Sequence, residues 1–458
     1  MLLLAENFDQ FNDISDLAEL FGYAFSGQDT TVSNITRLDD QFVSGQNPYI
    51  SNPISSPMAF GERASGYLAL RRSTDTMEMK LPNFSSSRRL VFGMSLGSGA
   101  LRRGLQDSGG ILNTTYLKYG RMKVRFVNPS QTNLFSIEVR FRIGHTIDVV
   151  FDNYSTQITD ISPENGIPFN RFRKNFFEFY SDSAGAEGGF GTVKFAINGK
   201  TIFIRDNVFN SDYTKWGGDP SNPGSYYGRI IVEFGYHNLD ASYFESKDYK
   251  TVWAIDSIYV CNETSGYYDD FFGPVHISTM YPDPAIPGDV NNWTGFQNGV
   301  QVEPALAPNA SLVDTPVIDV TATDATYIEA DTDNLRELYY MKNYIDPVRN
   351  LIDDPIAVNF RTYVKNIFSY GATNYDKGLI GITKASGNDI SRETGKKIAV
   401  NQFTYKLLDL YFGVAPMLAV AWTWELLTGM QFGMESVQVK HQLYLEDVFD
   451  SSETVTEV

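Results

Sequence analysis

A single cysteine, Cys261, in 458 residues leaves no intrachain disulfide to form, so stability has to come from packed cores and interfaces. That scarcity suits synthesis and assembly in a reducing cytoplasm. Histidine is nearly as rare: His145, His237, His276 and His441 lie far apart, and no His-x-x-x-His or Cys-x-x-Cys spacing exists to hold zinc or iron. Asp and Asn loops such as Asp219 to Asn222 and Asp269-Asp270 match no EF-hand pattern and read as turn geometry. No transition metal and no cofactor are expected, and calcium is left open, since such loops could supply oxygen ligands.

Basic residues are also in short supply, with 37 Lys and Arg against 55 Asp and Glu, and the formal charge of -18 opposes binding to a phosphate backbone. The pairs Arg71-Arg72, Arg88-Arg89 and Arg102-Arg103 are separated by uncharged, strand-like sequence and form no continuous basic run. A nucleic-acid partner is therefore not expected. Long apolar runs are missing too. Phe412 to Trp422 is interrupted by Pro416 and falls well short of the ~20 residues that span a bilayer. Met1 to Ala5 is too short for a signal-peptide core, has no basic leader and runs straight into Glu6 and Asp9. Neither a membrane segment nor secretion by that route is expected.

What the chain does have is aromatic and apolar material: 14% aromatic and 42% hydrophobic residues, with 32 Phe and 27 Tyr, a balance that favours packed β structure. The length calls for at least two hydrophobic cores. From Leu134 to Ile143, Phe135, Ile137, Val139, Phe141 and Ile143 alternate with Ser136, Glu138, Arg140 and Arg142, the pattern of a half-buried strand. Val193, Phe195 and Ile197 lead into Asn198-Gly199 and then Thr201 to Ile204, which predicts a hairpin closed by a type I′ turn. Further strands are expected at Leu90 to Met94, Ile147 to Phe151, Phe176 to Tyr180, Ile230 to Tyr236 and Val252 to Cys261. Ile14 to Phe25 has the spacing of a short helix. Pro282, Pro284, Pro287, Pro304, Pro308 and Pro316, with Gly288, Gly295 and Gly299, mark a connection. Beyond it, Ile356 to Phe368, Leu379 to Ile382, Phe403 to Phe412 and Met417 to Leu427 are expected to pair as a second, smaller sheet. The expected organisation is a β-sandwich domain over 1–280, a Pro/Gly-rich connection over 281–316, a second β domain over 317–440 and an acidic tail over 441–458.

Catalytic patterns fare poorly. Gly93-Met94-Ser95-Leu96-Gly97 matches a nucleophile elbow in form, but the residues after it are Gly- and Ser-rich and do not read as helix. Gly199-Lys200-Thr201 looks like the end of a phosphate loop, yet Lys194 stands where a glycine is required. Glu329-Ala330-Asp331-Thr332-Asp333-Asn334 is the nearest approach to a glycosidase's alternating carboxylates, and it ends in Asn334 where the third acid belongs. It reads as a solvated loop. No catalytic residue is assigned, and the chain is expected not to be an enzyme. The candidate glycan contacts are Trp216, Tyr226 and Tyr227, aromatics in Gly- and Pro-rich loops.

The run Trp253-Ala254-Ile255-Asp256-Ser257-Ile258-Tyr259-Val260 resembles the closing strand of concanavalin-A-like, laminin-G-type sandwiches. It continues through Asp269, Asp270, Phe271, Gly273, Val275 and Pro282 to Trp293-Thr294, and this combination resembles a family of tailed-phage virion proteins. Phe272, Pro274 and Tyr281 depart from that family's usual leucine, acid and leucine. Glu6-Asn7-Phe8-Asp9, Gly66 to Arg71 and Leu90 to Met94 resemble its first strands, and Ala421-Trp422-Thr423 with Phe432-Gly433 its last patch.

The resemblance implies a mainly all-β chain, a concanavalin-A-like jelly-roll sandwich followed by a second, smaller β-sandwich domain. It implies a structural component of a tailed-phage virion, tail-associated or on the capsid surface, that is assembled in the host cytoplasm. Such a component acts through self-assembly and docking, with copies of itself and other virion proteins as partners. The alternative it leaves open is a host-receptor or glycan-binding module of the phage particle.

Overall fold

Period-two alternation builds the first unit, because it gives each strand one greasy face that must meet another. The structure, a computed structural model, describes residues 2–6, 24–26, 34–37, 66–70, 76–80, 89–97, 120–127, 133–142, 146–152, 159–160, 167–168, 175–182, 192–206, 229–236, 253–262, 270–275, 277, 280–303, 309–313, 326–343, 355–364, 375–392, 398–399 and 406–440. The first unit holds β1 (Leu2–Glu6), β2 (Ala24–Ser26), β3 (Asn34–Arg37), β4 (Gly66–Leu70), β5 (Thr76–Lys80), β6 (Arg89–Gly97), β7 (Gly120–Val127) and β8 (Asn133–Arg142). It continues with β9 (Thr146–Asp152), β10 (Thr159–Asp160), β11 (Ile167–Pro168), β12 (Asn175–Asp182), β13 (Thr192–Ile197), β14 (Lys200–Asp206), β15 (Arg229–Tyr236) and β16 (Trp253–Asn262).

These strands form two eight-stranded sheets, one ordered β14-β13-β12-β6-β16-β4-β3 with β1 on β16, the other β10-β9-β8-β7-β15-β5-β2 with β11 on β9. The result is a jelly-roll β-sandwich. Phe92, Met94, Phe177, Phe179, Val193 and Phe195 from the first sheet, and Met122, Val124, Ile137, Val139, Val149, Ile230 and Val232 from the second, are fully buried. The strands expected at 90–94, 134–143, 147–151, 176–180, 230–236 and 252–261 are all present, with β6 running three residues and β12 two residues beyond the expected end. So is the hairpin, where Asn198 (φ 52°) and Gly199 (φ 77°) take the left-handed conformations of the type I′ turn. The helix expected over Ile14 to Phe25 is corrected at its end. Ala24 and Phe25 lie in β2, paired with Glu78 and Met77 of β5, so tertiary pairing overrides local spacing, and residues 14–23 lie outside the described ones.

The second unit contains β17 (Met280–Pro282), β18 (Thr294–Gln297), β19 (Val300–Gln301), α1 (Asn309–Val313), β20 (Thr326–Glu329), β21 (Arg336–Asn343) and β22 (Val358–Val364). After these come β23 (Tyr375–Lys384), β24 (Ser391–Arg392), β25 (Ile398–Ala399), β26 (Lys406–Phe412), α2 (Trp424–Gly429) and β27 (Gln431–Lys440). A six-stranded sheet, ordered β17-β21-β27-β23-β24 with β25 on β23, is joined by the pair β22-β26 and the three-stranded sheet β19-β18-β20. Phe360, Leu379, Leu408, Leu410, Phe412, Trp422, Phe432 and Met434 make its core. The strand expected over Met417 to Leu427 is not there. Five successive apolar residues, Met417 to Ala421, offer no alternation, and Thr423 instead caps α2, its hydroxyl accepting from Leu426 N at 3.1 Å. The loop is closed by Trp422, whose indole Nε1 donates to Phe412 O at 2.9 Å.

Two glycines are required for different reasons. A Cβ on Gly433 would stand 1.8 Å from the Glu337 carbonyl oxygen, a backbone atom that cannot swing away. Gly299 (φ 75°) sits in the β18–β19 turn with nothing within 4 Å. Gly433→Ala is expected to lower unfolding stability by about 3 kcal/mol or to prevent folding. Gly299→Ala, burdened by its left-handed φ alone, costs about 1 kcal/mol. Urea titration of the two variants side by side checks this, and equal losses would contradict it.

Candidate functional site

A sandwich has two outer faces, and the described residues show one of them covered by the chain itself. On the first sheet, Val91, Phe176, Tyr180, Tyr259 and Cys261 point away from the sandwich core and are covered by Ala5, Phe271, Phe272, Val275 and Ala357. The covering residues come from β1, from the segment leaving β16 and from just before β22. Arg361 on β22 adds a hydrogen bond to Ala5 O at 2.8 Å. The outer face of the first sheet is thus the seat of the second unit.

The outer face of the second sheet is of another kind. Register across β15, β7, β8 and β9 places Glu233, Lys123, Glu138 and Val150 in one row. Arg121, Arg140 and Asp148 form the row on one side of it, and Ile231, Arg125, Ser136 and Asp152 the row on the other. Neighbouring rows stand ~7 Å apart along the strands and neighbouring positions ~5 Å apart across them. Arg140 Nε donates to Glu138 Oε1 at 2.6 Å, Arg121 Nη1 lies 3.6 Å from Glu138 Oε2, and Arg125 Nη2 lies 2.6 Å from Glu233 Oε1.

One carboxylate therefore holds two guanidinium groups, and a second holds a third. The floor is sheltered, with Ser136, Glu138 and Asp148 buried, while the Arg121 side chain keeps 33% of its surface exposed. Acceptor-only carboxylates alternate with donor-only cations over a surface whose side chains are fixed by one another. Such an array can take a ligand whose groups both donate and accept hydrogen bonds.

Other candidates resolve differently. Gly93 to Gly97 lies inside β6, paired with both β12 and β16, and Ser95 is fully buried. It forms no strand-to-helix turn. Gly199-Lys200-Thr201 is the turn and start of the β13–β14 hairpin. Glu329 closes β20, half-buried, and burial with Asp331 nearby pushes its carboxyl above the ordinary range, while Asp331 is exposed beyond the strand's end. The run thus begins on a strand, where a solvated loop was expected throughout. Trp216, Tyr226 and Tyr227 lie outside the described residues. Among the described residues no group of His, Cys, Asp and Glu is placed to hold a metal ion, and no helix is long and apolar enough to cross a membrane.

The motif string from Asp270 to Trp293 turns out to be cement. Asp270 pairs with Lys194 at 2.7 Å, Phe271 and Phe272 cover the first sheet, and Trp293 Nε1 donates to Leu335 O at 3.1 Å. Cys261 is buried, and burial pushes its thiol beyond the ordinary range. The charged face was half visible in the sequence, since Ser136, Glu138 and Arg140 are the polar set of the expected strand. Its other half, Arg121, Lys123 and Arg125, was missed, although Gly120 to Val127 alternates just as clearly.

No protein-family model and no curated protein matches the chain. Similar solved structures include a marine alginate lyase from Aplysia kurodai, with a TM-score of 0.36 and 7% identity over 57% of this chain and 99% of that one. An endo-1,3-beta-glucanase from Streptomyces sioyaensis aligns with a TM-score of 0.33 and 9% identity over 57% and 95%. The CBM2 module of an evolved Dit from Lactobacillus casei phage J-1 aligns with a TM-score of 0.30 and 12% identity over 59% and 97%. The expectation that the chain is not an enzyme does not stand, since a fold class that includes a lyase and a glucanase does not exclude catalysis.

Glu138→Gln tests whether the face is a mutually fixed array. With the carboxylate gone, Arg121 and Arg140 turn to water, and the expected loss is about 1 kcal/mol, small because both cations are already part-exposed. The difference from wild type in urea midpoint is expected to shrink in ~1 M salt. A loss that persists unchanged in salt would mean that Glu138 acts through packing.

Proposed function

We propose that this chain is a glycan-binding protein that uses the outer face of its second sheet. The observation that carries this reading is the array in which Glu138 holds Arg121 and Arg140 while Glu233 holds Arg125. A sugar hydroxyl donates one hydrogen bond and accepts others, so a pair of neighbouring hydroxyls fits a carboxylate beside a guanidinium. Because the charges neutralise one another, recognition of this kind depends on hydrogen-bond geometry more than on long-range attraction, in keeping with an acidic chain. The motif string ending at Trp293-Thr294, which resembles that of tailed-phage virion proteins, supports a setting on the surface of a phage particle. There a glycan-binding face would meet the host envelope.

The test uses the full chain and a panel of host-surface and commercial oligosaccharides, with binding followed by calorimetry and the ligand examined for shortened products by mass spectrometry. Wild type is expected to bind at least one oligosaccharide, and Arg140→Ala and Arg121→Ala each to weaken it by about tenfold, the loss of one charge-assisted hydrogen bond. Substitution of Lys200, exposed on the hairpin turn away from this face, should leave binding unchanged. Binding that survives both arginine changes moves the site elsewhere, and failure to bind any glycan removes the reading.

A further inference from the structure

Among the described residues, Glu178, Glu337 and Glu435 are carboxylates with no exposed surface, and they differ in what holds them. Glu435 is compensated: Arg336 Nε donates to Oε2 at 2.7 Å, Arg392 Nε donates to the same oxygen at 2.9 Å, and Arg392 also reaches Oε1. Glu178 and Glu337 meet neutral donors. Glu178 Oε1 accepts from the Tyr259 hydroxyl at 2.6 Å and from Gly273 N at 2.9 Å, while its Oε2 is buried with no partner. Glu337 Oε1 accepts from Asn309 Nδ2 at 3.0 Å, and Oε2 from Trp293 N at 3.1 Å.

Both glutamates grip the same stretch of chain. Gly273 belongs to the segment that leaves β16 and seals the first sheet, and Trp293 and Asn309 belong to its continuation against β21. A carboxylate taken out of water without a cation is unfavourable, and the neutral acid is preferred. At Glu178 the proton can sit on Oε2 without displacing either donor from Oε1. As an anion, Glu178 would instead hold a charged oxygen against apolar surroundings.

The groups facing Glu178 reinforce this. They are Tyr259 and Cys261 from β16 and Asp270 from the segment itself, whose own partner is Lys194 of β13. Burial pushes the Glu178 carboxyl above the ordinary range, Tyr259 and the amides of Gly273 and Phe272 oppose the rise, and Asp270 adds to it. Glu337 faces Tyr339, whose hydroxyl is buried beside it, and burial pushes Glu337 up to about 7 against the pull of Asn309 and the amides of Trp293 and Asn292.

We propose that the connection between the two units is a pH-dependent latch, seated while Glu178 and Glu337 are neutral and loosened when they ionise. The sign follows from titration above the unfolded value. The contribution of Glu337 is complete below 4.5 and is lost as the pH rises through about 7, and Glu178 acts in the same direction. Ionised Glu178 draws water to Oε2, and water reaches it by lifting the cover that Phe272 makes over the Tyr259 ring, with centroids 4.8 Å apart. The latch works in the same way whether or not the second sheet binds a glycan.

Hydrogen exchange read by mass spectrometry on the full chain, corrected for intrinsic pH dependence, tests the latch between about pH 5 and about pH 8. Peptides over 270–275 and 291–295 are expected to lose about tenfold in protection across that range while β6 does not change. Glu178→Gln is expected to abolish the loss at 270–275 and to leave that at 291–295, and Glu337→Gln the reverse. Equal protection at the two pH values in wild type overturns the proposal, as does a Gln variant that keeps the wild-type loss. Should a Gln variant not fold, Asp270→Asn removes the like charge beside Glu178, and the 270–275 transition must then begin at lower pH. A transition that does not move counts against the latch.

Discussion

Strand β12 is buried along its whole length, on both faces, and much of the architecture is a response to that constraint. Phe177 and Phe179 are accommodated by the sandwich in the usual way, facing inward among Phe92 and Phe195. Phe176, Glu178 and Tyr180 point the other way, and a sheet with grease on its outer side is not stable until something lies over it. The chain supplies the cover itself, first with β1 and the segment after β16, then with the second unit through Ala357. Docking of the second unit thus arises from the outward apolar residues of β12 together with Val91 of β6 and Tyr259 and Cys261 of β16. So does the division of labour between outer faces, the first sheet's being used for internal packing and the second's carrying the charged array.

The row Glu178, Gly93, Tyr259 shows how finely that cover is fitted. Gly93 stands opposite Glu178 on one side and Tyr259 on the other, and a Cβ at Gly93 would come within 2.1 Å of the tyrosine ring. The ring lies across the glycine and its hydroxyl reaches the carboxylate one strand further on. The first glycine of the Gly-x-Ser-x-Gly pattern is thereby explained by sterics, while Met94 and Leu96 serve the core. A motif read in isolation suggests chemistry where its neighbours demand only room.

Elements whose apolar and polar positions alternate cleanly were legible in the sequence, as Phe135 to Ile143 and the Asn198-Gly199 hairpin show. Strands β21 and β27 were not. Their sequences place Glu337, Glu435 and Gln431 among apolar residues, and burial of these groups depends on partners contributed by distant strands. No local pattern distinguishes a glutamate destined for two arginines from one destined for water. The loop and helix of 413–429 were hidden for the opposite reason, since an unbroken apolar run has no period from which to choose between strand and turn. The charged face was half legible, because alternation puts Glu138 and Arg140 on one side of β8 but leaves unsaid which strand lies alongside.

That last gap is where the candidate site comes into being. Arg121 and Glu138 are separated by 17 positions in the chain and brought together by the register of β7 on β8, which pairs Arg121 with Arg140 and Lys123 with Glu138. Two arginines directly opposite each other repel. Here the repulsion is absorbed by one carboxylate standing a step along the strand and within reach of both. The price of that arrangement is a sheltered, desolvated Glu138, so its strength depends on both guanidiniums staying in place. A ligand that hydrogen-bonds to the outer edges of those guanidiniums leaves the Glu138 contacts intact, whereas one that competes for Glu138 dismantles the array. On the proposed reading, a ligand that adds to these hydrogen bonds is accommodated more readily than one that carries strong charge of its own, and a polyhydroxylated chain meets that condition.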